Sequence, residues 1–212
     1  MTRFGAKMKE TFFGHEITIE NGFETYTDEG GIYTLRAYRG DDLIVRVPDG
    51  IQNIFIGAFS NSNVEEVILP ESVLMIGDRA FRDCINLKSC IIPESVQSIM
   101  GEAFANCPSL LNVSFPSRLR YLGKSAFRRA GIETAVFPAG IKKTLGSVFA
   151  ECENLTKAII VEPEMVLNTG EFSGCDKLKD IYYDGEISNL PPLIKHKIQK
   201  KKTIFLHGLQ ER

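Results

Sequence analysis

Five cysteines, three histidines and one Gly-Lys-Ser run are the residues of this chain whose types could do chemistry. Cys84, Cys107, Cys152 and Cys175 return at regular offsets while Cys90 stands apart. Recurring thiols invite a metal reading. Metal-binding cysteines, however, come in close C-x-x-C pairs, and this chain has none; an odd count also signals no disulfide framework. The run "LGKS", Leu122 to Ser125, echoes the end of a phosphate-binding loop. That motif requires a glycine five positions before Gly123, and Arg118 stands there. His15, His196 and His207 could serve as acid–base groups, but no serine or cysteine nucleophile lies near them in sequence, and they read as surface histidines. Nothing here supplies a nucleophile, a metal cage or a cofactor cradle. The expectation is a protein that is not an enzyme, with no metal and no cofactor.

The elements that hold these residues are repeats. Pro48, Pro70, Pro93, Pro116 and Pro138 are spaced by 22, 23, 23 and 22 residues. Eleven residues after each comes a phenylalanine: Phe59, Phe81, Phe104, Phe127 and Phe149, with Phe172 one further step on, where Val161 takes the place of the proline. Six of the fourteen phenylalanines thus fall in one register. Before each sits Ala58, Ala80, Ala103, Ala126 or Val148, with Glu171 breaking the rule. Three residues after it come Ser62, Cys84, Cys107, Ala130, Cys152 and Cys175, so the cysteines are one column of a repeat. Ile51, Val73, Val96, Leu119 and Ile141, then Ile54, Ile76, Ile99 and Leu122, complete the apolar positions, and Thr144 and Glu164 degrade them in the last repeats. A unit of this length cannot bury an apolar face alone, but stacked copies can, which predicts a solenoid. Each unit offers a short strand before its proline ("VIL" 67–69, "CII" 90–92, "VSF" 113–115, "AVF" 135–137, "AII" 158–160), ended by the missing N–H. Such strands form a parallel sheet along one side, and the arm with the Ala-Phe pair is a turn or short helix.

The pattern I-x-I-P-x-S-V-x-x-I-G-x-x-A-F-x-x-C-x-x-L resembles the BspA-type leucine-rich repeat, found mainly in bacteria and some parasitic protists. Residues 67–110 follow it almost letter for letter, and weaker copies run from about Val45 to Tyr183. The resemblance implies a leucine-rich-repeat solenoid of six to seven repeats of 22–23 residues, with a short parallel β-sheet on one side and turns, short helices or 3-10 segments on the other. It also implies a protein-interaction scaffold, in this family often at a cell surface and binding host or matrix proteins.

A solenoid must be closed at both ends. Residues 1–44 read as an N-terminal capping region with a turn at Asp28-Glu29-Gly30-Gly31, residues 45–183 as the solenoid, and residues 184–212, which break the period at Pro191-Pro192, as a C-terminal cap of a short cationic helix and a last strand. Ile17, Ile19, Tyr33 and Leu35 alternate as half-buried strands do. The whole is one domain. With 43% apolar residues, 25% charged and a net charge of −2, the composition argues against a dedicated nucleic-acid binder. No apolar run approaches the ~20 residues of a membrane span, so no membrane insertion is expected. The N-terminal stretch lacks a secretory h-region, which points to the cytoplasm, or to the cell surface or secretion if a leader has been removed.

Two surfaces then compete for a partner. In each strand the residue between two inward positions points out: Arg46, Ile68, Ile91, Ser114, Val136, Ile159 and Tyr182. That stripe is mostly apolar over ~30 Å of stacked strands and has a polar rim, as an interaction surface does. Strand propensity alone, or a terminal segment lying over it, would give the same composition. The occupant is an unknown protein partner, self-association included. The alternative is an acidic partner, or less favourably nucleic acid, on a basic surface of Arg118, Arg120, Lys124, Arg128 and Arg129, joined by Lys142, Lys143 and the lysines of the C-terminal tail. Solvated charge on long apolar stems explains those residues equally well.

Overall fold

The computed structural model of the chain describes residues 10–168 and 170–183. The first strands are local pairings. β1 (Thr11–Phe12) and β2 (His15–Glu16) form a two-residue antiparallel ribbon, and β3 (Thr18–Glu20), β4 (Phe23–Thr27) and β5 (Tyr33–Tyr38) an antiparallel meander. Asn21 and Gly22, both left-handed (φ 48° and 80°), make the β3–β4 turn, because a turn of that hand matches the twist of the strands. Asp28 makes the next turn, its side chain accepting the Ile32 N–H at 2.9 Å and its carbonyl the Gly31 N–H at 3.0 Å. Ile17 and Leu35 are buried as their alternation requires, but Ile19 is exposed.

From there each repeat is one rung. The strands run β6 (Ile44–Arg46) and β7 (Asn53–Ile54), β8 (Glu66–Ile68) and β9 (Met75–Ile76), β10 (Ser89–Ile91) and β11 (Ser98–Ile99), β12 (Tyr121–Leu122), then β13 (Thr134–Phe137), β14 (Lys157–Ile160) and β15 (Asp180–Tyr183). The strands before the prolines pair parallel in register, Arg46 beside Ile68 beside Ile91 and Val136 beside Ile159 beside Tyr182. This first ladder is divided, because residues 113–115 are not a strand. The outward residues there are Asn112 and Ser114, which favour local hydrogen bonding and lack the branched side chains that suit a pleated surface. Val113 and Phe115 still pack on the core.

A second parallel ladder, which the repeat pattern did not reveal, runs along the segment after the prolines. Here β7, β9, β11 and β12 pair in order, and β5 joins at one end, so the N-terminal meander continues this sheet. Its inward residues are Leu35, Ile54, Ile76, Ile99 and Leu122, all fully buried. In the last repeat Glu164 is exposed, and Met165, one residue on, fills the interior instead.

The third arm contains no helix among the described residues. Two columns of left-handed residues flank the phenylalanines: Gly57, Arg79, Glu102, Ser125, Ser147 and Gly170 two positions before, and Asn61, Asp83, Asn106, Arg129, Glu151 and Gly174 two positions after. The nine that are not glycine have φ of 54–60°, a conformation costing about 1–2 kcal/mol each for an L-residue. The neighbouring rung offsets that cost. The N–H groups of Asn61, Asp83, Asn106, Arg129 and Glu151 donate to carbonyls one rung on at 2.6–3.0 Å, and those of Phe59, Phe81, Phe104, Phe127 and Phe149 do so at 2.7–3.2 Å.

Inside, the rings of Phe59, Phe81, Phe104 and Phe127 stack with centroids 4.9, 4.9 and 5.1 Å apart, planes within 11° of parallel. That spacing equals the separation of hydrogen-bonded strands, so rings and backbone share one repeat distance. Tyr38, 5.4 Å from Phe59, closes the column at the N-terminal end, its hydroxyl donating to Asp42 at 2.9 Å. Replacing Phe104 by alanine opens a cavity between two rings. It should cost about 3–5 kcal/mol, read as a lower urea midpoint in circular dichroism.

Candidate functional site

The residues with chemical potential are consumed by the stack. Four thiols donate to the phenylalanine carbonyl of the preceding rung: Cys84 to Phe59 at 3.0 Å, Cys107 to Phe81 at 3.1 Å, Cys152 to Phe127 at 3.1 Å and Cys175 to Phe149 at 2.9 Å. The cysteine column therefore supplies a small buried donor to the phenylalanine carbonyls, those of Phe59, Phe81 and Phe127 also accepting the N–H three residues on. Burial pushes the thiols of Cys84, Cys90 and Cys107 up, and Cys152 is raised by its hydrogen-bonded neighbour Cys175 and by burial. All five are buried, whereas reactive thiols sit in partly exposed, electropositive surroundings. Among the described residues no three His, Cys, Asp or Glu side chains converge as metal ligands would.

"LGKS" is likewise part of the stack. Leu122 is buried in β12, a Cβ on Gly123 would collide with the backbone of Gly101, and the left-handed Ser125 donates its N–H to Gly146 at 3.1 Å. His15 stacks on Tyr26 with centroids 5.6 Å apart. His196 and His207, like the lysines of the C-terminal tail, lie outside the described residues.

The five basic residues do not form one surface. Arg118 and Arg120 flank Leu119 after the proline, and Arg120 donates to the carbonyls of Ser117 and Leu119 at 3.1 Å each. Lys124 lies exposed at the corner beyond β12. Arg128 and Arg129 sit on the turn arm and close on a single partner, Glu151 of the next rung: Arg128 Nε donates at 2.8 Å and Arg129 Nε at 2.6 Å. The guanidinium of Arg128, then that of Arg129, holds the Glu151 carboxyl below its ordinary range. Beside them a groove of about 500 Å³ opens where rung four is one residue short, with Asn106, Pro108, Gly131 and Asn154 in its walls. Two of its polar groups are engaged by residues outside it, Asn106 donating to Asp83 at 2.7 Å and Asn154 accepting from Lys177 at 3.3 Å.

The outward stripe is different. Ile68 and Ile91 are side by side on β8 and β10, and Val136, Ile159 and Tyr182 side by side on β13, β14 and β15. Ser114, on the rung without a strand, separates the two groups, and Arg46 ends the row. Ile91 is 52% exposed; Ile68, Val136, Ile159 and Tyr182 are half-buried. A second outward column runs beside it through Glu66, Ser89, Thr134, Lys157 and Asp180, so the apolar row has a polar companion two residues away. Lys157 reaches the Tyr182 ring, its ammonium 5.9 Å from the centroid. Ile44, 61% exposed on β6, is an apolar member of that second column which the stripe omitted; the same alternation, read two residues back, marks it.

A family model described as the BspA type leucine rich repeat region matches residues 43–156 and 74–194, in six copies. A leucine rich repeat protein of T. pallidum has a similar solved structure, with a TM-score of 0.73 at 24% identity over 84% of this chain and 92% of that one. One from Bacteroides ovatus gives 0.71 at 26% identity, covering 82% of this chain and 52% of its own. A leucine rich cell surface protein of Faecalibacterium prausnitzii gives 0.57 at 23% identity, with 82% and 41% covered. The chain thus spans nearly the whole of the first and about half or less of the other two. No curated protein matches it.

If the thiols are structural, the folded protein should resist iodoacetamide at mildly alkaline pH, and all five should react once it is unfolded, counted by intact mass. Rapid labelling of one cysteine in the folded state would mark a reactive thiol.

Proposed function

Because the chain belongs to the BspA-type leucine-rich repeat family, we propose that it is a non-catalytic protein-interaction scaffold that docks a partner through the apolar outer face of its first ladder. The observation that carries this reading is the pairing of Ile68 with Ile91 and of Val136 with Ile159 and Tyr182 on an outward face, with Ile91 52% exposed. Interior positions are restricted by packing to a few residue types. The outward column has no such restriction, and water favours polar groups there. An apolar row between Glu65, Glu66, Lys88 and Lys157 supports a surface that another protein covers. The partner is a protein with an apolar, β-branched or aromatic ridge, a second copy of this chain among the possibilities. The engagement of Arg128 and Arg129 by Glu151 weighs against phosphate recognition on rung four.

Replacing Ile91 and Ile159 together with lysine should leave the circular dichroism spectrum and melting temperature close to those of the natural chain. Self-association in sedimentation velocity, or recovery of the partner, should be lost. An unfolded double variant would mean the stripe is interior. Raising salt from about 0.1 M to about 1 M should leave binding largely intact, whereas a phosphate-binding surface would weaken by orders of magnitude.

A further inference from the structure

The N-terminal meander covers one ladder and leaves the other open. Nine residues before the inward Ile54 and Ile76 of the second ladder stand Val45 and Val67, inward residues of the first. Nine before Leu35 stands Tyr26, which lies in β4 and pairs with Thr34 of β5 instead. The chain thus spends on the meander the segment that would have lain beside β6. β5 shields β7, whereas β6 ends its sheet.

The hydrogen bonds of β6 show which groups this leaves. The Glu66 N–H donates to the Leu43 carbonyl and the Val47 N–H to the Ile68 carbonyl, both at 3.0 Å. In a parallel ladder alternate residues of a strand bond to opposite neighbours, so Leu43, Val45 and Val47 face β8. The backbone N–H and C=O groups of Ile44 and Arg46 face the other way, and no described residue bonds to them. Such an edge is a template for another strand unless it is blunted. Here Pro48 comes after the two open N–H groups, so both remain as donors. Leu43 and Ile44 are 52% and 61% exposed. A groove of about 320 Å³ opens between β6 and the meander, lined by Thr18, Phe23, Thr25, Tyr33, Arg46 and Pro48. Asp41 and Asp42, exposed just ahead of β6, and Glu66, beside Ile44 on β8, give that end a negative rim.

We propose that the open edge of β6 is a docking site for an extended segment of another protein, which adds a strand to the first ladder through the Ile44 and Arg46 backbone. Its alternate side chains are apolar and enter the groove over Phe23 and Tyr33, and a basic residue meets Asp41 and Asp42. β6, β8 and β10 are each three residues long, so a short segment matches them. A second copy of β6 fits less well: laid antiparallel, it sets Asp41 and Asp42 against the exposed Asp49, like charge against like. The edge is read by backbone groups and stands independently of what the outward stripe binds.

Amide exchange of the full chain, followed residue by residue by NMR, tests it. The probe is a short synthetic peptide alternating valine and threonine between terminal lysines. In the free chain the Ile44 and Arg46 amides should exchange fast and those of Val45 and Val47 slowly. Saturating peptide should slow Ile44 and Arg46 by about tenfold or more and leave Ser89–Ile91 of β10 unchanged. Arg46→Pro removes an edge donor without touching the bonds to β8 and should abolish the protection, whereas Arg46→Ala, which keeps the N–H, should retain it. Ile44→Pro is read in its place if Arg46→Pro fails to fold by circular dichroism. Slow exchange at Ile44 and Arg46 in the free chain, whether from a second copy or from the chain's own residues 1–9, would overturn the proposal. So would an absence of protection by the peptide, or equal binding to a folded proline variant.

Discussion

No rung of this protein buries anything alone, and everything else follows from that. A phenylalanine ring with one neighbour on each side at about 5 Å is sealed only by the rungs above and below. The same holds for the backbone: alternate N–H groups of the turn arm find their acceptors one repeat away. Left-handed conformations at arginine, glutamate and serine persist because the ladder of the next rung holds them there. The periodicity of the sequence is the record of this constraint, since a position that must be sealed by copies of itself admits few residue types.

The legible part of the fold was the part that packing repeats. Phenylalanine, alanine, proline and the small thiol column gave the stack, its period and the first ladder, because each occupies one interior place in every rung. The less legible part depended on backbone geometry that different side chains can satisfy. Arginine, glutamate, serine and glycine share the left-handed position before the ring, so nothing in their chemistry announced it. Two-residue strands such as Met75–Ile76 are too short to alternate, which hid the second ladder. Tyr38 closes the ring column from outside the period, joined through β5 rather than through a repeat. Glu171 looked like decay of the pattern until Thr144, also out of pattern, was found against it.

The same division runs through the functional reading. Of the residues that resemble chemistry, four cysteines recur because the stack requires them, their thiols turned to the preceding rung, and the single Gly-Lys-Ser run is taken up by the same stack through Gly123 and the Ser125 N–H. Residues on the outward face are free of that demand. There the ladder pairs Ile68 with Ile91, and Val136 with Ile159 and Tyr182, in two groups whose separation at Ser114 the alternation of a single strand does not reveal. The basic residues illustrate the opposite outcome: close in sequence, they lie on different arms, and two of them are engaged by Glu151.

The central claim is that the sheet face, and not the turn face, meets the partner. A photo-crosslinking amino acid placed at Ile91 on the sheet, and in a separate protein at the equally exposed Ile85 on the turn arm (52% and 57% exposed), tests it in extracts of the source organism. The account predicts a discrete adduct from position 91, either with another protein or with a second copy of the chain, and none from position 85. An adduct from position 85 alone, or the same products from both, would contradict it.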